Sequence, residues 1–234
     1  MSKLNLILKD SIRSKNLNNK MSLRLSFEFE KIFSDIKKEI NNNKKTLNVL
    51  NKNFKFSFKK KDLDKFKKYR KIALVGMGGS ILGAEAIHNF FEKKIKKKVY
   101  FFNNLDEYQI TEFKKGNLST VLFIIISKSG ETVETLSNIF SLNIIKKNAK
   151  NIILISEKKN NTLFLLSKKF NLFFIEHNKN IGGRYSVLSE VGMLPAYLMG
   201  VNIFKLRSNI LDCLKRKNKA FLKKSVIKLA ALMN

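Results

Sequence analysis

The chain has 234 residues, with 44% hydrophobic side chains and 47 Lys and Arg against 18 Asp and Glu, a net charge of +29. That supplies enough apolar material for a core. The single Cys213 excludes an internal disulfide, two histidines leave a His/Cys zinc site almost without ligands, and the longest purely apolar run, Val121 to Ile126, is far too short to span a bilayer.

A charge of this size points first to nucleic acid or an anionic surface. Its make-up argues otherwise. Only six of the 47 cations are Arg, and the chain carries 27 Asn with many Ile and Phe, the signature of AT-rich coding on a solvated surface. A nucleic-acid reader leans on the fork of Arg. The start, Met1 to Asp10, is broken by Lys9 and Asp10 before any signal-peptide core forms. The composition therefore reads as a soluble cytoplasmic protein, with no nucleic acid and no membrane as partner and Cys213 as a buried filler.

Residues 1–66 read as a mostly helical, basic accessory segment. Within it, Leu23, Leu25, Phe27 and Phe29 alternate with Arg24, Ser26 and Glu28, which suits a short half-buried strand. Phe29, Ile32, Phe33, Ile36 and Ile40 then fall at helical spacing. Asn41 to Lys45 reads as a loop. The Lys-dense tract Lys55–Lys71 reads as a solvated helix face with Leu63, Phe66 and Tyr69 on its buried side.

Residues 67–205 change texture. Ile72–Val75, Val99–Phe102, Val121–Ile126, Ile152–Ile155 and Leu172–Ile175 are apolar runs about 20 to 30 residues apart, the rhythm of βα units around a parallel sheet. Runs this continuous predict central strands covered on both faces. Pro195, the only proline, should kink or restart a helix in the apolar stretch Val187–Met199. Residues 206–234 read as the start of a second, truncated domain. There Leu222, Val226, Ala230 and Met233 form a helical stripe with no partner sequence after it.

In an open parallel sheet, ligands sit beyond the carboxyl ends of the strands. Three strand ends carry unusual loops. The first, Gly76-Met77-Gly78-Gly79-Ser80, lets backbone approach an anion at a helix start. Ile81 and Leu82 stand where a dinucleotide fingerprint needs Gly and a P-loop needs Gly-Lys, so it is neither; a plain tight turn is the alternative. The second, Ser127-Lys128-Ser129-Gly130-Glu131-Thr132, gathers hydroxyls, a Lys and backbone N–H groups into a phosphate cradle, or else a capping arrangement. The third, Ile181-Gly182-Gly183-Arg184-Tyr185-Ser186, aims one of the six Arg at the crevice, the alternative being a surface Arg on a carbonyl.

Together these loops resemble the glucose-6-phosphate isomerase family. The match runs from Gly76-Met-Gly-Gly-Ser80 with Gly83, through Ser127-Lys-Ser-Gly-Glu-Thr132 with Glu134-Thr135, to Gly182-Gly-Arg-Tyr-Ser186, Glu190-Val-Gly192 and Pro195, across roughly residues 70 to 205. The first two loops are shared by sugar-isomerase domains; the Gly-Gly-Arg-Tyr-Ser block is more specific. The resemblance implies an α/β fold, a sugar-isomerase-type three-layer sandwich with a central, mainly parallel sheet flanked by helices, plus a helical N-terminal segment.

It also implies roles. Gly79, Ser80, Ser127, Lys128, Ser129 and Thr132 would hold the sugar phosphate. Arg184 would stabilise the cis-enediolate formed when a proton leaves C2, and Glu134 would support a ring-opening histidine. Glucose 6-phosphate and fructose 6-phosphate would be the substrates, in glycolysis and gluconeogenesis. No cofactor and no metal are needed, and the complete enzyme would be a cytoplasmic homodimer. The family's base Glu and ring-opening His and Lys are expected beyond residue 234. His88 and His177 read as structural, and Glu85, Glu131 and Glu190 are not the base by position. A non-catalytic sugar-phosphate-binding regulatory domain is the alternative; Arg184 counts against it, because a sensor needs no enediolate stabiliser. A basic nucleic-acid-binding protein is a third reading, without the clustered Arg it requires.

Overall fold

The computed structural model describes residues 19–233; Met1–Asp10 lies outside them, as does the side chain of Cys213. Five strands form one parallel sheet: β1 (Lys71–Gly76), β2 (Lys98–Phe102), β3 (Val121–Ile126), β4 (Ile152–Ser156) and β5 (Phe173–Glu176). Their order is β2-β1-β3-β4-β5. The register runs without a slip, Ile72 beside Leu122 and Val75 beside Ile125. All six residues of β3 are buried, which is why its sequence is continuously apolar and not alternating.

Two apolar layers cover the sheet. Ile72, Leu74, Leu122, Ile124, Ile153 and Ile155 face one layer, packed by α3 (Leu82–Phe91), α7 (Glu190–Met199) and the segment around Leu63 and Phe66. Ala73, Val75, Phe123, Ile125 and Leu154 face the other, packed by α4 (Glu107–Lys114), α5 (Val133–Ser141) and α6 (Thr162–Lys169). The expected three-layer α/β sandwich with helices on both faces is the architecture observed. Each fully buried Ile, Leu or Phe contributes about 1.5–3 kcal/mol.

Four local expectations are corrected. Residues 23–29 are not a strand but part of α1 (Asn19–Ile40), a helix of 22 residues. Leu25 and Phe29, like Leu23 and Phe27, are four residues apart, so the same apolar positions satisfy a helical period as well as an alternating one. An i,i+4 ion pair between Arg24 and Glu28 at 3.1 Å and a Phe29–Phe33 stack with centroids at 5.4 Å favour the helix.

The tract Lys55–Lys71 is not one helix face. It holds the single turn α2 (Lys60–Leu63) and a 3-10 turn at Asp64–Phe66, with Phe58, Leu63 and Phe66 buried and Lys65 over the Phe173 ring at 4.3 Å. Helix α7 runs unbroken through Pro195 from Glu190 to Met199, so the helix does not restart there. The proline ring is buried in the core and its missing N–H removes one bond from a helix anchored by nearly complete burial. After α8 (Ile203–Arg207) comes α9 (Arg216–Met233), and its apolar stripe does have a partner. Leu222, Val226 and Ala230, with Ile227, face Leu25, Phe29 and Phe33 of α1, and Lys219 and Lys223 pair with Glu30 at 2.6 and 3.1 Å. Met233 is 81% exposed.

Candidate functional site

The strand order reverses between β1 and β3, so the loops leaving their carboxyl ends diverge and open a crevice. Loop 76–80 leaves β1 and loop 127–132 leaves β3. A third loop leaves β5, three strands from β1, and returns across the carboxyl edge to meet the first.

That meeting is backbone on backbone. A Cβ on Gly79 would fall 2.3 Å from the Gly183 carbonyl carbon, so no other residue fits at Gly79 without parting the loops. Ser186 bridges the contact: its hydroxyl lies 2.9 Å from Gly79 O, across 107 residues of sequence, and 2.6 Å from Gly183 O, sharing its one proton between the two loops. Ser80 ends a 3-10 turn, Gly78–Ser80, that leads into α3, whose start has no side-chain cap. Arg184 lies in the 3-10 turn Gly183–Tyr185 and is exposed at the rim.

The second loop gathers its hydroxyls. Ser127 Oγ lies 2.8 Å from Thr132 Oγ1 and 3.3 Å from Ser129 Oγ, and the last two are 3.5 Å apart. Gly130 N–H donates to Ser127 Oγ and Glu131 N–H to Ser129 Oγ, both at 3.1 Å. Thr132 is the N-cap residue of α5, yet its side chain makes no capping bond. The plain capping alternative therefore does not describe this loop. Three hydroxyls stand at the uncapped, dipole-positive start of a helix, an arrangement suited to an anion. Gly130, at φ +72°, makes the turn possible, and Glu131 braces it by accepting from Thr162 N–H and Oγ1–H at 2.6 and 2.8 Å.

Lys128 Nζ donates to Lys179 O at 2.8 Å and lies 3.7 Å from Glu157, so it ties the second loop to the third. Glu134, in the first turn of α5, is half-buried. His88 is half-buried edge-on to Phe101, and Glu85 accepts from Asn103.

Two residues outside the sequence-predicted roles, Arg207 and Glu190, hold the third loop. Arg207 donates to Val49 O at 2.8 Å, to Asn51 O at 3.0 Å and to Leu188 O, with its guanidinium over the Phe54 and Phe56 rings. It joins the N-terminal segment to the residues following Arg184. The signal was present: Arg207 is an Arg in a chain that otherwise writes Lys. Glu190 is buried and accepts from Asn178 N–H at 2.6 Å. Burial pushes its carboxyl up from the usual carboxylate range and pushes the His177 imidazole down. The two side chains approach to 3.9 Å. The signal here was a carboxylate standing inside an apolar stretch. Among the described residues no group of three or more His, Cys, Asp and Glu is arranged to hold a metal, and no helix is long and apolar enough to cross a membrane.

A parallel five-stranded sheet with helices on both faces, with three converging hydroxyls after β3 and an Arg-bearing loop seated on the loop after β1, fits an α/β domain of the sugar-isomerase type. A family model described as phosphoglucose isomerase matches residues 21–233, and the chain belongs to that family. It is 32% identical over 241 residues to a probable glucose-6-phosphate isomerase of Methanococcus maripaludis, covering 97% of this chain and 53% of that protein. It is 33% identical over 185 residues to a glucose-6-phosphate isomerase of Methanocaldococcus jannaschii, covering 74% and 43%. The chain thus spans about half the length of the curated relatives it matches.

Two solved structures share the fold. A hypothetical protein from Thermus thermophilus has a TM-score of 0.69 at 20% identity, over 89% of this chain and 54% of that one. A glucose-6-phosphate isomerase from Chlamydia trachomatis has a TM-score of 0.54 at 22% identity, over 65% and 32%.

Proposed function

We propose that this chain forms the sugar-phosphate-binding part of a cytoplasmic aldose–ketose isomerase that interconverts glucose 6-phosphate and fructose 6-phosphate through a cis-enediol, in glycolysis and gluconeogenesis. The observation that carries the reading is the convergence of Ser127, Ser129 and Thr132 hydroxyls at the uncapped start of α5. A phosphate seated there would take hydrogen bonds from those hydroxyls and from backbone N–H groups, with Gly79 and Ser80 on the other side of the crevice.

Arg184 would face the reacting carbons. When the C2 proton leaves, charge moves onto the substrate oxygens, and a fixed guanidinium stabilises that charge more than it stabilises the ground state. Glu134 would orient an imidazole for ring opening. The base and the ring-opening His and Lys are not among the residues of this chain that match family motifs, and we assign them to sequence outside it. Lys128 would add charge to the cradle while bridging to Lys179. A homodimer and partners limited to sugar phosphates belong to the same reading.

Titration with fructose 6-phosphate tests it. The double change Ser127→Ala, Thr132→Ala removes two hydroxyl donors and should weaken binding about 10- to 100-fold. Unchanged affinity would remove the cradle. In the complete enzyme Arg184→Lys should lower kcat by about 100-fold with a smaller change in KM, as for loss of an interaction made in the transition state. Equal losses in both would contradict an enediolate role.

A further inference from the structure

The third loop begins at Asn178 and ends at Glu190, and one carboxyl joins its two ends. Glu190 Oε1 accepts the Asn178 N–H at 2.6 Å across a separation of 12 residues. The Gly182–Arg184–Ser186 arc lies inside the ring this closes. Glu190 itself is 0% exposed, and its Oε2 has no hydrogen-bond partner among the described residues.

Its surroundings act in both directions: burial, the largest effect, and Glu176 favour the acid, while the Asn178 and Glu190 N–H groups and Ser57 favour the carboxylate. The Ser57 hydroxyl lies beside the carboxyl and donates to Glu176 O. His177, from the start of the same loop, directs Nδ1 at Asn178 O at 3.0 Å and stands 3.9 Å from Glu190 Oε1. Glu176, at the end of β5, opposes a negative charge on Glu190, while Lys128 and Glu157 act on the His177 side with opposite signs. Burial works in the same direction by raising the cost of the ionised form.

We infer that Glu190 is a positioning residue: its buried carboxyl closes the loop on itself and so holds Gly183 and Arg184 against the first loop. The inference deepens the proposed site and rests on it only where it assigns Arg184 a role. The loop closure stands on its own. Ionisation would place a charge on a side chain that is 0% exposed, with one oxygen unpartnered among the described residues, and the loop would open to hydrate it. Opening would carry Gly183 off Gly79.

The test is amide hydrogen exchange of residues 177–189 in this chain, read by mass spectrometry from pH 5 to pH 9 and corrected for the intrinsic pH dependence of exchange. Wild type should lose protection with rising pH, by about tenfold per unit above the carboxyl's pKa. The variant E190Q, which keeps one acceptor and cannot ionise, should remove that dependence. E190A should leave the loop unprotected at every pH; should it fail to fold, E190Q against wild type decides alone. The same pH dependence in wild type and E190Q, or full protection in E190A, would overturn the inference. Fructose 6-phosphate titrated in parallel separates the two claims: no binding by wild type, with the expected exchange pattern, would sink the sugar-phosphate reading and uphold Glu190 as the loop's closure.

Discussion

Gly79 shows how little room the crevice leaves. Its neighbour is backbone, which cannot rotate aside, so even a methyl group forces the first and third loops apart. Gly79→Ala should cost about 1–3 kcal/mol, the range for overpacking a close contact. It should also weaken fructose 6-phosphate binding, because Ser80 and Arg184 would no longer share one rim. Chemical denaturation and ligand titration of the same variant check both parts. A variant as stable as wild type would mean that the loops do not meet as described. Arg207 illustrates the complementary case. Its guanidinium serves three backbone carbonyls at once, a planar fork that Lys cannot reproduce. The sequence marks it only by residue choice, since its partners Val49 and Asn51 lie more than a hundred positions away in the N-terminal segment.

Among the elements, the sheet and the α1–α9 pair obey different rules. The strands are legible because each central one is buried on both faces and therefore continuously apolar. Helix α1 is ambiguous in sequence because Leu23 to Phe29 fit two periods at once; its own i,i+4 pairs and packing against α9 separate them. Phe33, 5% exposed and stacked on Phe29, sits in that seam. Phe33→Ala should destabilise by about 3–5 kcal/mol. The loss should appear first as faster amide exchange in α9, with affinity for fructose 6-phosphate retained, since the cradle is built on β1 and β3. If the variant lost ligand affinity while α9 stayed protected, the helix pair and the site would be coupled in a way this packing does not provide.

For the molecule as a whole, a charge of +29 bears on stability through self-repulsion. Several Lys side chains lie with their stems along rings, as Lys60 over Phe204 at 3.7 Å and Lys67 over Tyr197 at 4.6 Å, which uses the cation as cover for apolar surface. Such a surface repels itself. Raising sodium chloride from about 10 to 150 mM shortens the screening length from about 30 to 8 Å and should raise the thermal midpoint. A midpoint that stays flat or falls would show that the excess is already compensated by local pairing.

The parts of the site are written in the chain: five apolar runs at βα spacing, and after three of them loops whose glycines, hydroxyls and one Arg have a chemistry of their own. Those are local properties, set by period and by turn residues. How the parts meet is a matter of three-dimensional packing. The order β2-β1-β3-β4-β5 puts the first two loops on either side of the switch point. The return of the third loop seats Gly183 on Gly79, and the burial of Glu190 closes that loop. The physical reason is separation along the chain. Ser186 and Gly79 are 107 residues apart, and nothing in either loop's own residues states that the path between them ends in contact.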